Sequence, residues 1–186
     1  MLIGAGMDET AHAASALFEE TVAWLREHYQ QFQFWVERDL VWTVQTHLRE
    51  LISERQLGYE VFSDYPLLPG PRWALSADLV IREPVKEVLI AAEFKYEPSQ
   101  RRAEFRALPG KLPVVFWGID GVAKDIARIR RFVEAGAARM AFAIFIDEGR
   151  YFRHRPAHPE ATWLDWDASE VENASPSVLW TRWPST

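Results

Sequence analysis

The sequence predicts a single α/β domain with a mixed central sheet flanked by helices. Three features lead there. Two segments near the start carry apolar stripes at helical spacing, three short β-rich runs separated by turn residues follow, and a helix and a strongly apolar strand come after them. The resulting order, α-α-β-β-β-α-β-β, makes a three-strand meander and a crossover helix leading to a buried strand. That arrangement puts helices on both faces of one sheet. With 186 residues, 48% of them hydrophobic, the chain can bury one sizeable core but would be cramped as two full domains.

The first helix spans Asp8 to Gln31. Asp8 or Thr10 caps it, and Ala13, Ala14, Leu17, Phe18, Trp24 and Leu25 form its stripe, with Thr21 as a polar gap. The second runs from Val36 to Gln56, with Leu40, Val44, Leu48, Leu51 and Ile52 at helical spacing and Gly58 as its stop. "YEVFSDYPL" (Tyr59 to Leu67) is the first strand and ends at the turn Pro69 to Pro71. "ALSADLVIR" (Ala74 to Arg82) is the second, "EPVK" turns the chain, and "EVLIAAEFKY" (Glu87 to Tyr96) is the third. Pro98 to Pro113 is a polar, Arg-rich connection, and "LPVVFWGI" adds a short extended piece. A helix opens at Asp120 or Gly121 and runs to Ala135, with Gly136 just past its end. "RMAFAIFID" (Arg139 to Asp147) is a buried central strand, and "DEG" turns it into a short strand, Arg150 to Arg153. The tail lacks periodicity. Trp163, Trp166, Trp180 and Trp183 carry too much apolar surface to stay wet, so the tail is expected to wrap the core.

Composition narrows the function. There is no cysteine, which excludes disulfides and thiolate metal sites and fits a reducing cytoplasm. No apolar run approaches the ~20 residues of a membrane helix, so no membrane partner is expected. "MLIGAGMDET" has no basic n-region, unlike a signal peptide. The net charge of -6 argues against indiscriminate nucleic-acid binding. Locally the balance reverses. From Arg101 to Arg131 there are eight Lys/Arg against three acids, which reads either as a phosphate-facing surface or as a solvated helix face.

The chemistry is carried by "LIAAEFKYEP", Leu89 to Pro98, where two charges interrupt a buried strand. Alternation puts Glu93 and Lys95 on one face, with Phe94 and Tyr96 on the other. Asp78 begins "DLVI" on the preceding strand. A turn centred between Pro84 and Lys86 places Asp78 opposite some residue from Ile90 to Phe94, and a centre between Val85 and Lys86 would set it directly across from Glu93, with Lys95 just beyond. Two carboxylates so close repel, and a divalent cation resolves the conflict. Hard oxygen ligands suit Mg²⁺ or Mn²⁺, and a neighbouring Lys can position water or offset developing negative charge.

Asp78 in "ADLVI", followed fifteen residues later by Glu93 in "AEFKY", resembles the metal-binding core of the PD-(D/E)XK nuclease superfamily, the restriction-endonuclease-like fold. The resemblance covers Phe34 to Tyr151. It implies an α-β-β-β-α-β core over 34–153, with an extra N-terminal helical extension (1–33) and a Trp-rich C-terminal wrap (154–186). It also implies a Mg²⁺-dependent enzyme hydrolysing DNA. Asp78 and Glu93 would then be metal ligands, Phe94 would lend its backbone carbonyl, and Lys95 would be the catalytic lysine. Glu37 best matches the Glu that many members carry on the first core helix, and it shares a helix side with Val41 and Gln45. Ala77 stands where the family has Pro. A homodimer through the first helix would suit cleavage of both strands.

The alternative is a non-catalytic nucleic-acid-binding or protein-assembly module that keeps the fold. Arg101 and Arg102, with Lys124, Arg128 and Arg131 on one side of the third helix, are the candidates for DNA phosphates, or else a solvated face. Glu97 reads as structural, a salt-bridge partner of Lys95 or Arg101, or else as a contact to a second metal. His47 reads as polar surface, and Asp147 and Glu148 as turn residues. His154 and His158 have no metal-ligand partner nearby in sequence.

Overall fold

Met140 to Asp147 is buried along its whole length, in the middle of a sheet covered on both faces. The computed structural model describes residues 3–84, 87–106, 108–110, 114–118, 120–166 and 176–184. They form helices α1 (Ile3–His28), α2 (Glu37–Glu54), α3 (Ala103–Arg106) and α4 (Val122–Glu134). The strands are β1 (Glu60–Leu68), β2 (Leu75–Arg82), β3 (Val88–Glu97), β4 (Met140–Asp147), β5 (Ala161–Asp165) and β6 (Ser177–Trp183). The chain is α/β, with one six-stranded mixed sheet in the order β1-β2-β3-β4-β6-β5. The expected meander is present as antiparallel β1, β2 and β3. α4 then carries the chain over the sheet, so that β4 runs parallel to β3 with Glu93 level with Ala143.

Alternation along the strands divides the core in two. Ala92, Phe94, Phe142 and Ile144 face α1 and α2, whereas Ala91, Ala141 and Phe145 face the Ile126, Ile129 and Phe132 stripe of α4. α1 buries Ala11, Ala14, Leu17, Phe18, Val22 and Leu25, and Phe18 packs on Phe94 and Phe142. The stripe differs from the expected one: Ala13 is exposed. Thr21 is accepted inside the stripe because its hydroxyl donates to Leu17 O at 3.0 Å. With its apolar side against the sheet, α1 is a layer of the core rather than an appendage, and only its polar side remains for a second copy.

Local chemistry sets the ends of the next helices. α2 starts where the Asp39 carboxylate accepts from the N–H groups of Trp35 (2.8 Å) and Val36 (3.1 Å). It stops at Gln56, whose φ of 53° lets Leu57 N–H reach Ile52 O. The expected stop, Gly58, lies beyond that cap. α4 begins after Gly121, where a Cβ would lie 1.6 Å from Phe116 O, and ends at Gly136 with φ +67°.

Further expectations are corrected. α1 begins at Ile3, so Asp8 and Thr10 lie inside the helix and do not cap it. Arg150 to Arg153 is a turn and not a strand, because the buried Asp147 carboxylate accepts from Tyr151 N–H (3.0 Å) and Phe152 N–H (2.6 Å) and bends the chain back. The polar connection contains the one-turn helix α3. The tail does more than wrap the core: β6 pairs antiparallel with β4, and β5 with β6. Its tryptophans pack as their apolar area requires, Trp166 against Tyr29, Trp180 on Phe142, and Trp163 stacked on Trp117. Within the expected extended piece, Leu112, Pro113 and Ile119 lie outside the described residues, and 114–117 has no regular structure.

Candidate functional site

The site forms where β2 and β3 part. Their ladder pairs Leu79 with Ala92 and goes no further, while β3 continues beside β4 to Glu97. The next step of that register sets Asp78 across from Glu93, as a hairpin centred between Val85 and Lys86 requires. At the split, Asp78 Oδ2 accepts from Phe94 N–H at 2.7 Å, so a carboxylate stands in for the lost ladder bond.

Glu93 and Lys95 are i and i+2 on β3 and both face α4. Asp125 and Arg128 are i and i+3 on α4 and face back. The pairs cross: Arg128 Nη1 donates to Glu93 Oε2 at 2.6 Å, and Lys95 Nζ lies 3.5 Å from Asp125 Oδ2. Lys95 Nζ also donates to Glu37 Oε2, at 3.0 Å, at the start of α2. Lys95 is therefore held between two helices on opposite sides of the sheet.

The four carboxylates line two spaces. Glu37 and Asp78 line a cleft of about 290 Å³ with Arg38, Val41, Trp42, Gln45, Ser63 and Asp64. Glu93 and Asp125 line an inner cavity of about 10 Å³, the size of one water, beside Ala143 and Thr181. Across β3, β4 and β6, Glu93, Ala143 and Thr181 lie level with one another, and the small Ala143 leaves the room. Glu93 Oε1, Asp125 Oδ2 and Thr181 Oγ1 are buried there without a hydrogen-bond partner.

Burial shifts every acid of the cluster upward. Asp78 rises to about 6, because burial outweighs the opposing Phe94 N–H bond and the Glu37 charge adds to the rise. Glu93 rises to about 9, because burial and the Asp78 charge outweigh the Arg128 ion pair. Glu37 and Asp125 also rise through burial, although Lys95 opposes both shifts. For Lys95, burial acts downward but the charges of Asp125 and Glu37 prevail, so its pKa is raised and it stays cationic.

The structure thus brings Asp78, Glu93, Lys95 and Glu37 to one place, with the Phe94 backbone beside them. Gln45 lines the cleft, but its amide, oriented by its neighbours, accepts from Arg49 (3.0 Å) and Ser63 N–H (3.2 Å), which ties α2 to β1. Two residues expected to meet phosphates have intramolecular partners instead. Arg128 is on Glu93, and Arg102 donates to Phe34 O at 2.7 Å and pairs with Glu148. Arg101, Lys124 and Arg131 are exposed. His47 is stacked on Trp24, and Glu97 accepts from Val115 N–H, a structural role.

Sequence reading missed Asp125. The signal was there: Asp125 falls inside the inward stripe Val122, Ile126, Ile129 and Phe132, where an acid needs a partner. In comparisons with known proteins, no family model, no curated protein and no solved structure matches the chain. Among the described residues, no helix is long and apolar enough to cross a membrane.

Proposed function

We propose that the chain is a divalent-cation-dependent nuclease of the PD-(D/E)XK type, with a restriction-endonuclease-like core, and that it hydrolyses DNA phosphodiester bonds. One observation carries this reading. Glu37, Asp78, Glu93 and Asp125 crowd around Lys95 and Arg128, and burial raises the pKa of each of the four. Glu93 is held protonated up to about 9. A bound Mg²⁺ or Mn²⁺ would favour the ionised forms of the acids and offset the crowded negative charge.

The donors fit such an ion in kind. They are hard oxygens, and Glu93 Oε1 is buried without a hydrogen bond. Asp78, Glu93 and the Phe94 carbonyl would hold it. Among the described residues, no three acidic or histidine side chains already stand in a coordinating group, and Arg128 draws Glu93 toward α4. A bound Mg²⁺ would supply polarisation of the phosphoryl group and a lowered pKa for water.

The chain's own residues supply the rest. Lys95, kept cationic by Asp125 and Glu37, orients the attacking water and offsets charge developing on the phosphate. Glu37 fixes the ammonium, and Gln45 fixes the helix that carries Glu37. Arg101, Lys124 and Arg131 are the exposed bases available to DNA phosphates. Cleavage of both strands would favour a homodimer.

Supercoiled plasmid incubated with Mn²⁺ tests the reading. Wild type should nick or linearise it, and Lys95→Ala should not. No cleavage by wild type, with Lys95→Ala indistinguishable from it, sinks the enzyme.

A second reading rests on the Glu93–Arg128 pair, since an acid already neutralised by arginine has less need of a metal. In that case the chain is a non-catalytic nucleic-acid-binding or assembly module. Calorimetry that detects no Mg²⁺ or Mn²⁺ binding, with Asp78→Ala unchanged from wild type, removes the metal site, and DNA binding without cleavage then selects this reading over a purely structural α/β protein.

A further inference from the structure

We infer that the cleft beside the acidic cluster is a seat for one unpaired nucleotide of single-stranded DNA, with Trp42 as the stacking surface and Arg38 as the phosphate contact. This deepens the nuclease reading and rests on it. Trp42 is 66% exposed on an amphipathic helix whose apolar residues Leu40, Val44, Leu48 and Leu51 are buried against the sheet. An exposed indole of that size is unusual away from a binding surface. It does not lie at random on the helix: Trp42 lines the same cleft of about 290 Å³ as Glu37 and Asp78. Arg38, one turn earlier, lines that cleft too and is exposed, with no ion pair among the described residues.

The chemistry selects the occupant. At i and i+4 the guanidinium and the indole lie side by side on one helix face, so one can hold a phosphate while the other meets the attached base. A base inside a duplex has both faces covered by its neighbours, so an indole can stack only on a base that is unpaired or turned out. The cleft volume lies at the lower limit of the ~300–1,000 Å³ usual for small-ligand sites, room for one nucleotide and not for a base pair within its stack. Val41 supplies apolar lining beside the indole, and the Glu37 and Asp78 carboxylates lie beside where the phosphate would come, so occupancy should require a divalent cation. A second exposed tryptophan, Trp73, lies in the turn that leads into the strand of Asp78, at the same end of the sheet.

Fluorescence anisotropy of 5′-labelled oligothymidylate and of a blunt hairpin duplex, in Ca²⁺ to limit cleavage, tests the inference in wild type, Trp42→Ala and Trp42→Phe. Thermal scans of the two variants should match wild type, since the residue is exposed. Wild type should prefer the single strand. Trp42→Ala should lose roughly 10-fold in affinity for it, Trp42→Phe should keep most of it, and duplex binding should change little. Equal single-strand binding by wild type and Trp42→Ala, in a protein that still cleaves DNA, overturns the inference and leaves the nuclease reading standing. If sedimentation shows Trp42→Ala abolishing self-association instead, the occupant is a second copy and the inference is overturned. If wild type neither binds nor cleaves any DNA, the nuclease reading fails and takes the inference with it.

Discussion

Glu93→Gln separates a working acid cluster from a structural ion pair. Glu93 is 1% exposed, and folding moves its carboxyl from the ordinary 4.5 up to about 9. A carboxyl whose pKa rises on folding favours the folded state only while protonated. Its contribution is therefore full below the unfolded value and is lost as pH climbs toward the folded one. Each pH unit between the two is worth about 1.4 kcal/mol, so Glu93 alone removes about 4 kcal/mol of stability between pH 5 and pH 8. Glutamine keeps the shape and still offers Arg128 an acceptor, but it has no proton to lose. The variant should thus be more stable than wild type by about 4 kcal/mol at pH 8 and within about 1 kcal/mol of it at pH 5. Asp78, Glu37 and Asp125 also rise on folding and remain in both chains, so the difference reports Glu93 together with its coupling to the Asp78 charge. Urea titration followed by tryptophan fluorescence at the two pH values measures it. A variant no more stable than wild type at pH 8 would mean that the Arg128 pair outweighs burial. The cluster would then be structural.

Mg²⁺ or Mn²⁺ at pH 8, at a hundredfold excess over its Kd, should raise wild-type stability by about 2.7 kcal/mol and leave Glu93→Gln unmoved in the same urea titration. Trp166→Ala should cost about 3–5 kcal/mol, because Trp166 is 3% exposed against Tyr29 and closes the core under the C-terminal strands; a shift of the urea midpoint reads it. Gly121→Ala should cost more than about 2 kcal/mol, since the added Cβ would lie 1.6 Å from Phe116 O at the start of α4; differential scanning calorimetry gives the loss.

How far the sequence could be read follows from the range of the interactions. The meander was legible because hairpin pairing is local, but its register was open, since a turn centred anywhere from Pro84 to Lys86 fits the sequence. The Leu79–Ala92 pair, with a register shift between Ile81 and Arg82, is what sets Glu93 level with Asp78. Glu93 and Lys95 were legible from alternation alone. The Arg128 contact was not: spacing put Lys124, Arg128 and Arg131 on one side of α4, but only packing turns Arg128 inward while leaving the other two exposed. β5 and β6 were illegible for another reason. β6 is covered on both faces, with Val178 in one core and Leu179 in the other, so it shows no alternation, and its partner β4 is distant in sequence.

The buried acids of this chain divide by how their oxygens are satisfied. Asp147 accepts from the Tyr151 and Phe152 N–H groups, Glu97 from Val115 N–H, and Glu148 from the Tyr96 hydroxyl and Ser99 N–H. Each is a clamp, in which a carboxylate ties a loop to the ends of β3 and β4 and burial is offset by donors already in place. Glu93 and Asp125 are as deeply buried, yet each keeps an oxygen without a hydrogen bond, and with Glu37 and Asp78 they crowd two cations. A fold selected for stability alone would favour apolar residues at such positions, since replacing buried charges with well-packed hydrophobes is often neutral or stabilising. The same sheet end thus holds acids that are fully used by the fold and acids that are not. On the nuclease reading proposed above, the second group is where an added cation and a phosphate would relieve what folding leaves unbalanced.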